Sequence, residues 1–287
     1  MDPSCLEHAL SETERQEFEE RGYFVLENLL TEAEILALEK ACDKVDAEVR
    51  AEHDVGPHAR LTVRDVMWRD PSLLDLVDLP TALPKLWELL GWNIQIYHSV
   101  IAYSPSEALE DREVRHQGWH QDSGQLNLDL EYTPRPMVSL KVAYFLSDCM
   151  EEGMANFWVV PGSQLKDFRP TGDRTIPPDG AVPVFVPRDG AVVFDRRIWH
   201  TATSNTSDVC RKAIFYGYSY RWLRPRDDQK VEHLIEGSDP IRRQLLGHSP
   251  TGGFGYTSPK EEDVPLREWI REHVGEEAIT PRRAVLV

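Results

Sequence analysis

The chain has little cysteine, and its four cysteines stand far apart. Cys5, Cys42, Cys149 and Cys210 form no Cys-x-x-Cys pair, which argues against a zinc ribbon and against a disulfide scaffold. Unpaired thiols are typical of a reducing compartment, and no basic region followed by an apolar run opens the chain as a signal peptide would. We therefore expect a cytoplasmic protein.

Long apolar runs and an excess of positive charge are also lacking. No stretch approaches the roughly 20 apolar residues that span a bilayer. With 32 Lys and Arg against 49 Asp and Glu, the net charge is −17. Nucleic acids and anionic membrane surfaces bind proteins through positive charge, so we expect neither as a partner. A small-molecule substrate is still open, because an acidic protein can contain a local basic pocket. The oligomeric state stays open.

The first third of the chain has mostly helical patterns. Ser11–Arg21 predicts an acidic helix, and Gly22–Leu26 predicts a strand. Thr31–Glu34 is a capping box that opens a second helix. Leu83–Leu90 predicts a short helix that ends at Gly91, whereas residues 51–80 show no clear pattern.

Beyond residue 92 the character changes to β-branched and aromatic runs separated by Pro, Gly and Asp clusters. These runs are Asn93–Tyr103, Met137–Leu146, Phe157–Val160, Val182–Val186, Ala191–Phe194 and Ala213–Tyr220. They predict a sandwich, barrel or jelly roll. The Pro- and Gly-rich segment 161–180 predicts a long loop, and Pro265 begins a C-terminal helix. We expect one domain over 1–287, with a helical part at about 1–92, a β core at about 93–222 and a helical tail at about 223–287.

One short stretch, Gly118–Gly124, contains a histidine and an aspartate two residues apart. Side chains of an extended segment alternate, so His120 and Asp122 can face the same side. An imidazole and a carboxylate together are two of the three ligands of the facial triad in non-heme Fe(II) oxygenases. Alone the motif is weak, because a turn aspartate beside a surface histidine has the same pattern.

A second stretch completes the ligand set. His200 ends a strand-like run within Phe194–Ala202, and Arg211 opens the next strand. This order suits a double-stranded β-helix oxygenase, in which three ligands take one face of iron and leave positions for a 2-oxo acid and O2. The planar guanidinium of the arginine can pair with the far carboxylate of 2-oxoglutarate.

With these motifs the chain resembles the phytanoyl-CoA dioxygenase family of Fe(II)/2-oxoglutarate-dependent oxygenases. The resemblance spans roughly residues 13–225 and implies a mainly β protein with flanking helices, built on a cupin-like double-stranded β-helix or jelly roll. It is carried by His120–Asp122, Gly22–Leu26, Leu140–Asp148, Val159–Ser163, Trp199, His200 and Arg211.

The resemblance implies His120, Asp122 and His200 as iron ligands and Arg211 as the anchor of the 2-oxoglutarate C5 carboxylate. The implied enzyme hydroxylates an unactivated C–H bond of a small molecule with O2, and releases succinate and CO2. Asp122 favours oxygen transfer, because related halogenases lack this ligand. Two alternatives stay open: a cupin-like metalloenzyme that does not use 2-oxoglutarate, which an exposed Arg211 would favour, and a catalytically silent binding relative.

Two positions depart from the family pattern. Gln164 replaces the histidine of the usual Pro-Gly-Ser-His, and Ala202 stands where many relatives have a serine that contacts the cosubstrate. Thr203, or Thr201, is a candidate substitute for that serine. Asn156 is a further candidate for cosubstrate binding, with a backbone-capping role as its alternative.

Several residues around the motif are candidate substrate contacts. Trp119, Gln125 and Asn127 flank the ligands, although Trp119 could equally pack and the two amides could satisfy a loop. Lys141 interrupts an apolar strand, so it either faces solvent, which is the default, or meets an anion in the pocket. We find no basic cluster that would clearly bind the phosphates of coenzyme A, so a CoA ester is not favoured. The substrate itself is not indicated.

Overall fold

The structure is a computed structural model that describes residues 1–108, 110, 112–130, 133–167, 169–170 and 172–280. The last residues of the expected helical tail, 281–287, lie outside this part. The strands are β1 Tyr23–Leu26, β2 Leu61–Arg64, β3 Ile94–Ser104, β4 Ser139–Phe145, β5 Phe157–Val160, β6 Val182–Val184, β7 Ala191–Asp195, β8 Trp199–Ala202 and β9 Arg211–Tyr220. The α-helices are α1 Glu12–Arg21, α2 Glu32–His53, α3 Pro71–Asp75, α4 Leu83–Leu90, α5 Gly124–Asp129, α6 Glu232–Ile235, α7 Pro240–Leu245, α8 Pro265–His273 and α9 Glu276–Ile279.

The strands form two antiparallel sheets. The larger sheet has the order β1-β7-β4-β9-β3-β2, and the smaller one has the order β6-β5-β8. Side chains of both sheets share one apolar cluster, which includes Phe145 and Phe194 from the large sheet and Phe157 from the small one. The sheets therefore face each other around a common interior, which confirms the predicted jelly roll.

Strand β4 shows how the large sheet separates this interior from the helices. Leu140, Val142 and Tyr144 belong to the cluster that contains the helical residues, whereas Ala143 and Phe145 belong to the cluster between the sheets. This alternation is the period of a β-strand, with both faces buried. Lys141 has the same parity as Ala143 and Phe145, so its side chain is directed to the interior.

Most of the predicted elements are confirmed. Ser11 and Thr31 both cap their helices in capping boxes, with Glu14 and Glu34 as the reciprocal partners. The part before residue 93 supplies both edges of the large sheet: β1, which was predicted, and β2, which was not. Strand β2 lies in the segment without a clear pattern, and only its Val63 is buried.

Among the described residues of the 161–180 segment the structure has turns and one 3-10 turn, Ser163–Leu165, which agrees with the predicted loop. All four cysteines are free thiols. Within the described residues, none of the helices combines the length and apolar character needed to cross a membrane.

Candidate active site

The two candidate histidine ligands lie directly opposite each other in an antiparallel pairing. The His120 N–H donates to the His200 carbonyl at 3.0 Å, and the His200 N–H donates to the His120 carbonyl at 2.9 Å. Residues that exchange both backbone hydrogen bonds direct their side chains to the same face. The two imidazole rings accordingly lie 4.4 Å apart. The segment before β4 thus extends the small sheet beyond β8 and brings both histidines together.

Both imidazoles are oriented in the same way. Nδ1 of His120 lies 2.9 Å from the Gly118 carbonyl, and Nδ1 of His200 lies 2.9 Å from the Ile198 carbonyl. A carbonyl can only accept, so each Nδ1 carries the proton and each Nε2 keeps a free lone pair. Burial and the neighbouring His120 lower the pKa of His200 to about 3, so its imidazole is neutral near pH 7. A neutral imidazole with a free Nε2 is the form that binds a metal.

Asp122 completes the set. One ligand atom from each of the three residues lies within 4.8 Å of the others. Asp122 Oδ2 is buried without a hydrogen-bond partner, and it lies 4.0 Å from Nε2 of His200. Oδ1 instead accepts a hydrogen bond from Lys141 Nζ at 2.9 Å. The sequence default that Lys141 faces solvent is wrong; the other alternative is right, and the anion that Lys141 meets is Asp122.

The charge of Lys141 keeps the carboxylate ionised. Burial alone would raise the pKa of Asp122, but the nearby Lys141 and the two histidines outweigh it and hold the pKa below its usual range. Burial likewise opposes the charged form of Lys141, but Asp122 raises its pKa above the ordinary value. The pair is therefore a charged, hydrogen-bonded pair inside the protein.

The backbone of Asp122 is fixed on both sides. Its N–H donates to the Arg196 carbonyl at 3.0 Å, and its carbonyl accepts from Asn127 Nδ2 at 2.9 Å. Arg196 is fully buried, and its guanidinium in turn donates to Asn127 Oδ1. Asn127 therefore satisfies the loop around the ligand, which was one of its two predicted roles.

Arg211 lies at the start of β9 with 4% of its surface exposed. No hydrogen-bond acceptor for its side chain is found among the described residues, and Nε is buried without a partner. Its guanidinium carbon lies 5.9 Å from the centre of the Phe145 ring, which belongs to the same interior cluster as Phe157 and Phe194. The ring centre of His200 lies 5.3 Å from that of Phe157 and 5.2 Å from that of Phe194. Burial lowers the pKa of Arg211 to about 10, so the group is still charged at pH 7.

The two further cosubstrate candidates differ. Asn156 is fully buried, and its amide bonds only to backbone: Oδ1 accepts from Met154 N–H and Nδ2 donates to the Cys149 carbonyl. This is the capping alternative. Thr203 Oγ1 is buried without a partner. However, strand alternation places Thr203 opposite to His200 and Ala202, so a contact from Thr203 to the cosubstrate stays a prediction.

Of the three predicted substrate contacts Trp119, Gln125 and Asn127, it is Gln125 that lines the cavity over the ligands. Trp119 is fully buried in a cluster with Val160 and Trp199, which is the packing alternative. Gln164, which replaces the usual histidine, donates from Nε2 to the Glu19 carbonyl and thereby ties its loop to α1.

The cavity over the ligands has a volume of about 530 Å³. It is lined by His120, Asp122 and residues of α5, and also by Leu223, Arg224 and Arg226. We did not single out the two arginines from the sequence. A signal was present, because Arg221, Arg224 and Arg226 fall within six residues.

Comparisons with known proteins agree with this geometry. The family model of the phytanoyl-CoA dioxygenases matches residues 18–213. The chain belongs to the phytanoyl-CoA dioxygenase family. Its relatives include the uncharacterized protein Rv1501 of Mycobacterium tuberculosis, which is 25% identical over 234 residues, 79% of this chain and 82% of the relative.

Two solved structures show the same fold as this family member. HygX from Streptomyces hygroscopicus, solved with nickel and 2-oxoglutarate bound, has a TM-score of 0.61 at 16% identity and covers 75% of this chain and 89% of its own. SnoK, a non-heme alpha-ketoglutarate-dependent carbocyclase from nogalamycin biosynthesis, has a TM-score of 0.56 at 23% identity. The match covers 80% of this chain and 91% of SnoK. The neighbours confirm the cupin-like double-stranded β-helix.

Proposed function

We propose that this family member is an Fe(II)- and 2-oxoglutarate-dependent oxygenase that hydroxylates an unactivated C–H bond of a small molecule. The observation that carries the proposal is the convergence of His120, Asp122 and His200, with one ligand atom from each within 4.8 Å of the others. Two imidazole nitrogens and one carboxylate oxygen are the donor set that non-heme Fe(II) prefers. We further propose that residues 1–287 form one oxygenase domain, because helices from both ends pack in one cluster with the large sheet.

The three side chains fit a metal in their present state. His120 and His200 would bind through Nε2, since each Nδ1 is engaged with a backbone carbonyl. Asp122 would bind through Oδ2, which is buried without a partner, while Lys141 occupies Oδ1. One carboxylate oxygen would thus be available to a metal, while Lys141 holds the other. Bound iron would supply the oxidising chemistry, coupled to conversion of 2-oxoglutarate and O2 to succinate and CO2.

Arg211 supports the use of 2-oxoglutarate. A buried guanidinium without an acceptor is costly, and an incoming carboxylate offers the acceptor that the protein lacks. HygX, which has this fold, was solved with 2-oxoglutarate bound. The cupin-like alternative would be favoured by an exposed Arg211, and the observed burial gives it no support. A silent relative would have no chemical need for an intact ligand set.

The proposal is tested by two binding measurements without oxygen. We expect one Ni²⁺ per chain by calorimetry, and loss of that binding in His120→Ala, Asp122→Ala and His200→Ala. We then expect 2-oxoglutarate to bind the nickel-loaded protein about 100-fold more weakly in Arg211→Met, which loses a bidentate charge-assisted contact. Lys212→Met, a change at the partly exposed neighbouring residue that pairs with Asp43, is the control. Unchanged 2-oxoglutarate binding in Arg211→Met would refute the cosubstrate assignment, as would oxidation of a substrate by the iron-loaded enzyme without 2-oxoglutarate.

A further inference from the structure

The cavity over the ligands is also lined by two arginines whose side chains have no partner in the described part of the chain. Arg224 and Arg226 are both exposed, and neither makes an ion pair or side-chain hydrogen bond with the described residues. Other arginines of the same chain are paired with acids, for example Arg242 with Asp78 and Arg188 with Glu39. We propose that Arg224 and Arg226 bind an anionic group of the substrate. The proposal rests on the proposed function and narrows its substrate to an organic anion.

The segment with these arginines is fixed although their side chains are free. The Arg226 N–H donates to the Tyr97 carbonyl at 2.9 Å. The next residue, Asp227, accepts from Ser99 N–H at 2.7 Å and lies 2.8 Å from His98 Nδ1. Its carboxylate is therefore occupied by strand β3 and does not pair with either arginine. The backbone that carries the two arginines is already fixed, so binding an anion would not require it to become ordered. Their guanidinium groups are free to donate hydrogen bonds to that anion.

The charged residues that line this cavity contrast with the whole chain. The net charge is −17, yet Asp122, the one acid among the described residues that line the cavity over the ligands, is paired with Lys141, and the neighbouring Asp227 is engaged by strand β3. Asp228 and Glu232 line the adjoining cavity, and within the described part of the chain neither forms an ion pair with Arg224 or Arg226. A concave site with one sign of charge concentrates ligands of the opposite sign. Arg211 is the separate candidate for the cosubstrate, so these two arginines are available to the substrate.

A second cavity of about 480 Å³ adjoins the first and shares Leu223 and Arg224 with it. It is lined by the aromatic side chains of Trp222, Phe254 and Tyr256. An anion beside Arg224 would therefore have the metal ligands on one side and an aromatic surface on the other. This arrangement fits an organic anion with an extended apolar or aromatic body, of which one end reaches the metal.

The test uses two dyes that differ only in their charged group. 8-Anilinonaphthalene-1-sulfonate is an aromatic anion, and N-phenyl-1-naphthylamine is the same skeleton without the sulfonate. We expect the nickel- and 2-oxoglutarate-loaded protein to bind the sulfonate in a 1:1 complex, roughly tenfold more tightly than the neutral dye, as judged by fluorescence titration. In Arg224→Ala/Arg226→Ala this preference is expected to disappear, with the affinity for the neutral dye unchanged.

Arg64→Ala is the matched control, because Arg64 is an exposed arginine on β2 that lines neither cavity. Its preference for the sulfonate should equal that of the wild type. Equal binding of the two dyes, absence of sulfonate binding, or an unchanged preference in the double variant would each overturn the proposal. The outcome is separable from that for the proposed function, because dye binding needs no turnover and 2-oxoglutarate binding is measured independently with Arg211→Met.

Discussion

Nζ of Lys141 lies 2.9 Å from Oδ1 of Asp122, and both side chains are buried. The lysine neutralises the carboxylate before any metal is present, and it occupies the oxygen that does not face the histidines. We infer that the pair keeps the ligand ionised and correctly rotated in the metal-free protein. A divalent ion at Oδ2 would provide a second positive partner for the same carboxylate.

This relationship predicts that Lys141→Met destabilises the metal-free protein strongly. Removing one partner of a buried pair leaves an uncompensated charge, and such changes cost about 3–5 kcal/mol. With saturating Ni²⁺ the loss should shrink, because the metal then compensates Asp122. Thermal unfolding of Lys141→Met and the wild type, with and without nickel, measures the loss of stability in the metal-free and the nickel-bound protein. Lys212→Met, which breaks the surface pair with Asp43, should cost less than about 1 kcal/mol in either state. An equal loss with and without nickel in Lys141→Met would contradict this account.

Asn127 and Gln125 lie on the same short helix but are expected to affect different functions. Asn127 donates to the carbonyl of Asp122 and accepts from Arg196, whereas Gln125 lines the cavity. Asn127→Ala should weaken Ni²⁺ binding about 10- to 100-fold, which is the usual effect of removing a group that orients a ligand. Gln125→Ala should leave metal affinity unchanged. Calorimetry measures the Ni²⁺ affinity of both variants. Equal affinities of Asn127→Ala and Gln125→Ala would show that Asn127 does not orient Asp122.

The sequence pattern predicted the elements of the core because their signals are local. Strand alternation, the capping box of Thr31–Glu34 and the chemistry of His120, Asp122 and His200 can each be recognised within a few residues. The pairing that sets His120 opposite His200 depends on two segments that are distant in the chain, so the sequence indicated only that both residues belong to one site. Strand β2 was missed because an edge strand with one buried residue has almost no hydrophobic period.

The sequence left the role of Lys141 open between solvent and an anion in the pocket, and it did not single out Arg226, for a different reason. Both faces of β4 are buried, so the strand reads as an almost continuous apolar run in which the inward face cannot be identified. The position of Arg226 depends on the contact between Asp227 and strand β3, which no local pattern encodes. Residues that meet across the fold therefore determine the parts of the site that sequence reasoning could not assign.

The buried pair of His98 and Asp227 predicts a pH dependence of stability. Burial lowers the pKa of His98 below its usual value, against the opposing effect of Asp227. The unfolded chain takes up this proton near pH 6.5, but the folded protein does so only at lower pH. The unfolded state then binds more protons, so His98 makes stability fall as the pH decreases below about 6.5, by at most about 1.4 kcal/mol per pH unit.

His98→Asn isolates this effect. The asparagine amide can still donate to Asp227, but it does not titrate. Urea unfolding of the metal-free protein between pH 7.5 and 5 should therefore show a shallower dependence in His98→Asn than in the wild type. His53→Asn, a change at an exposed histidine of α2, should parallel the wild type. Parallel curves for wild type and His98→Asn would mean that His98 does not contribute.

Gly217 predicts a coupling with Tyr97 in the wall of the cavity. Gly217 pairs with Lys141 on one side and with His98 on the other, so a side chain there would share the inward face of Lys141. A Cβ at this position would lie 2.5 Å from Cε1 of Tyr97, closer than van der Waals contact allows. The Tyr97 ring can therefore occupy its place in the cavity beside the candidate metal ligands only because residue 217 has no side chain.

Gly217→Ala should accordingly cost about 1–3 kcal/mol of stability, as overpacking does elsewhere. In the background of Tyr97→Ala the same change meets no ring, so its cost should be largely removed, and the double-mutant cycle should give a coupling of at least about 0.5 kcal/mol. Gly237→Ala, at a glycine with open space around it, should be within about 0.5 kcal/mol of the wild type. Urea unfolding of the four proteins of the cycle measures the coupling, and simple additivity of the two changes would show that the ring does not depend on Gly217.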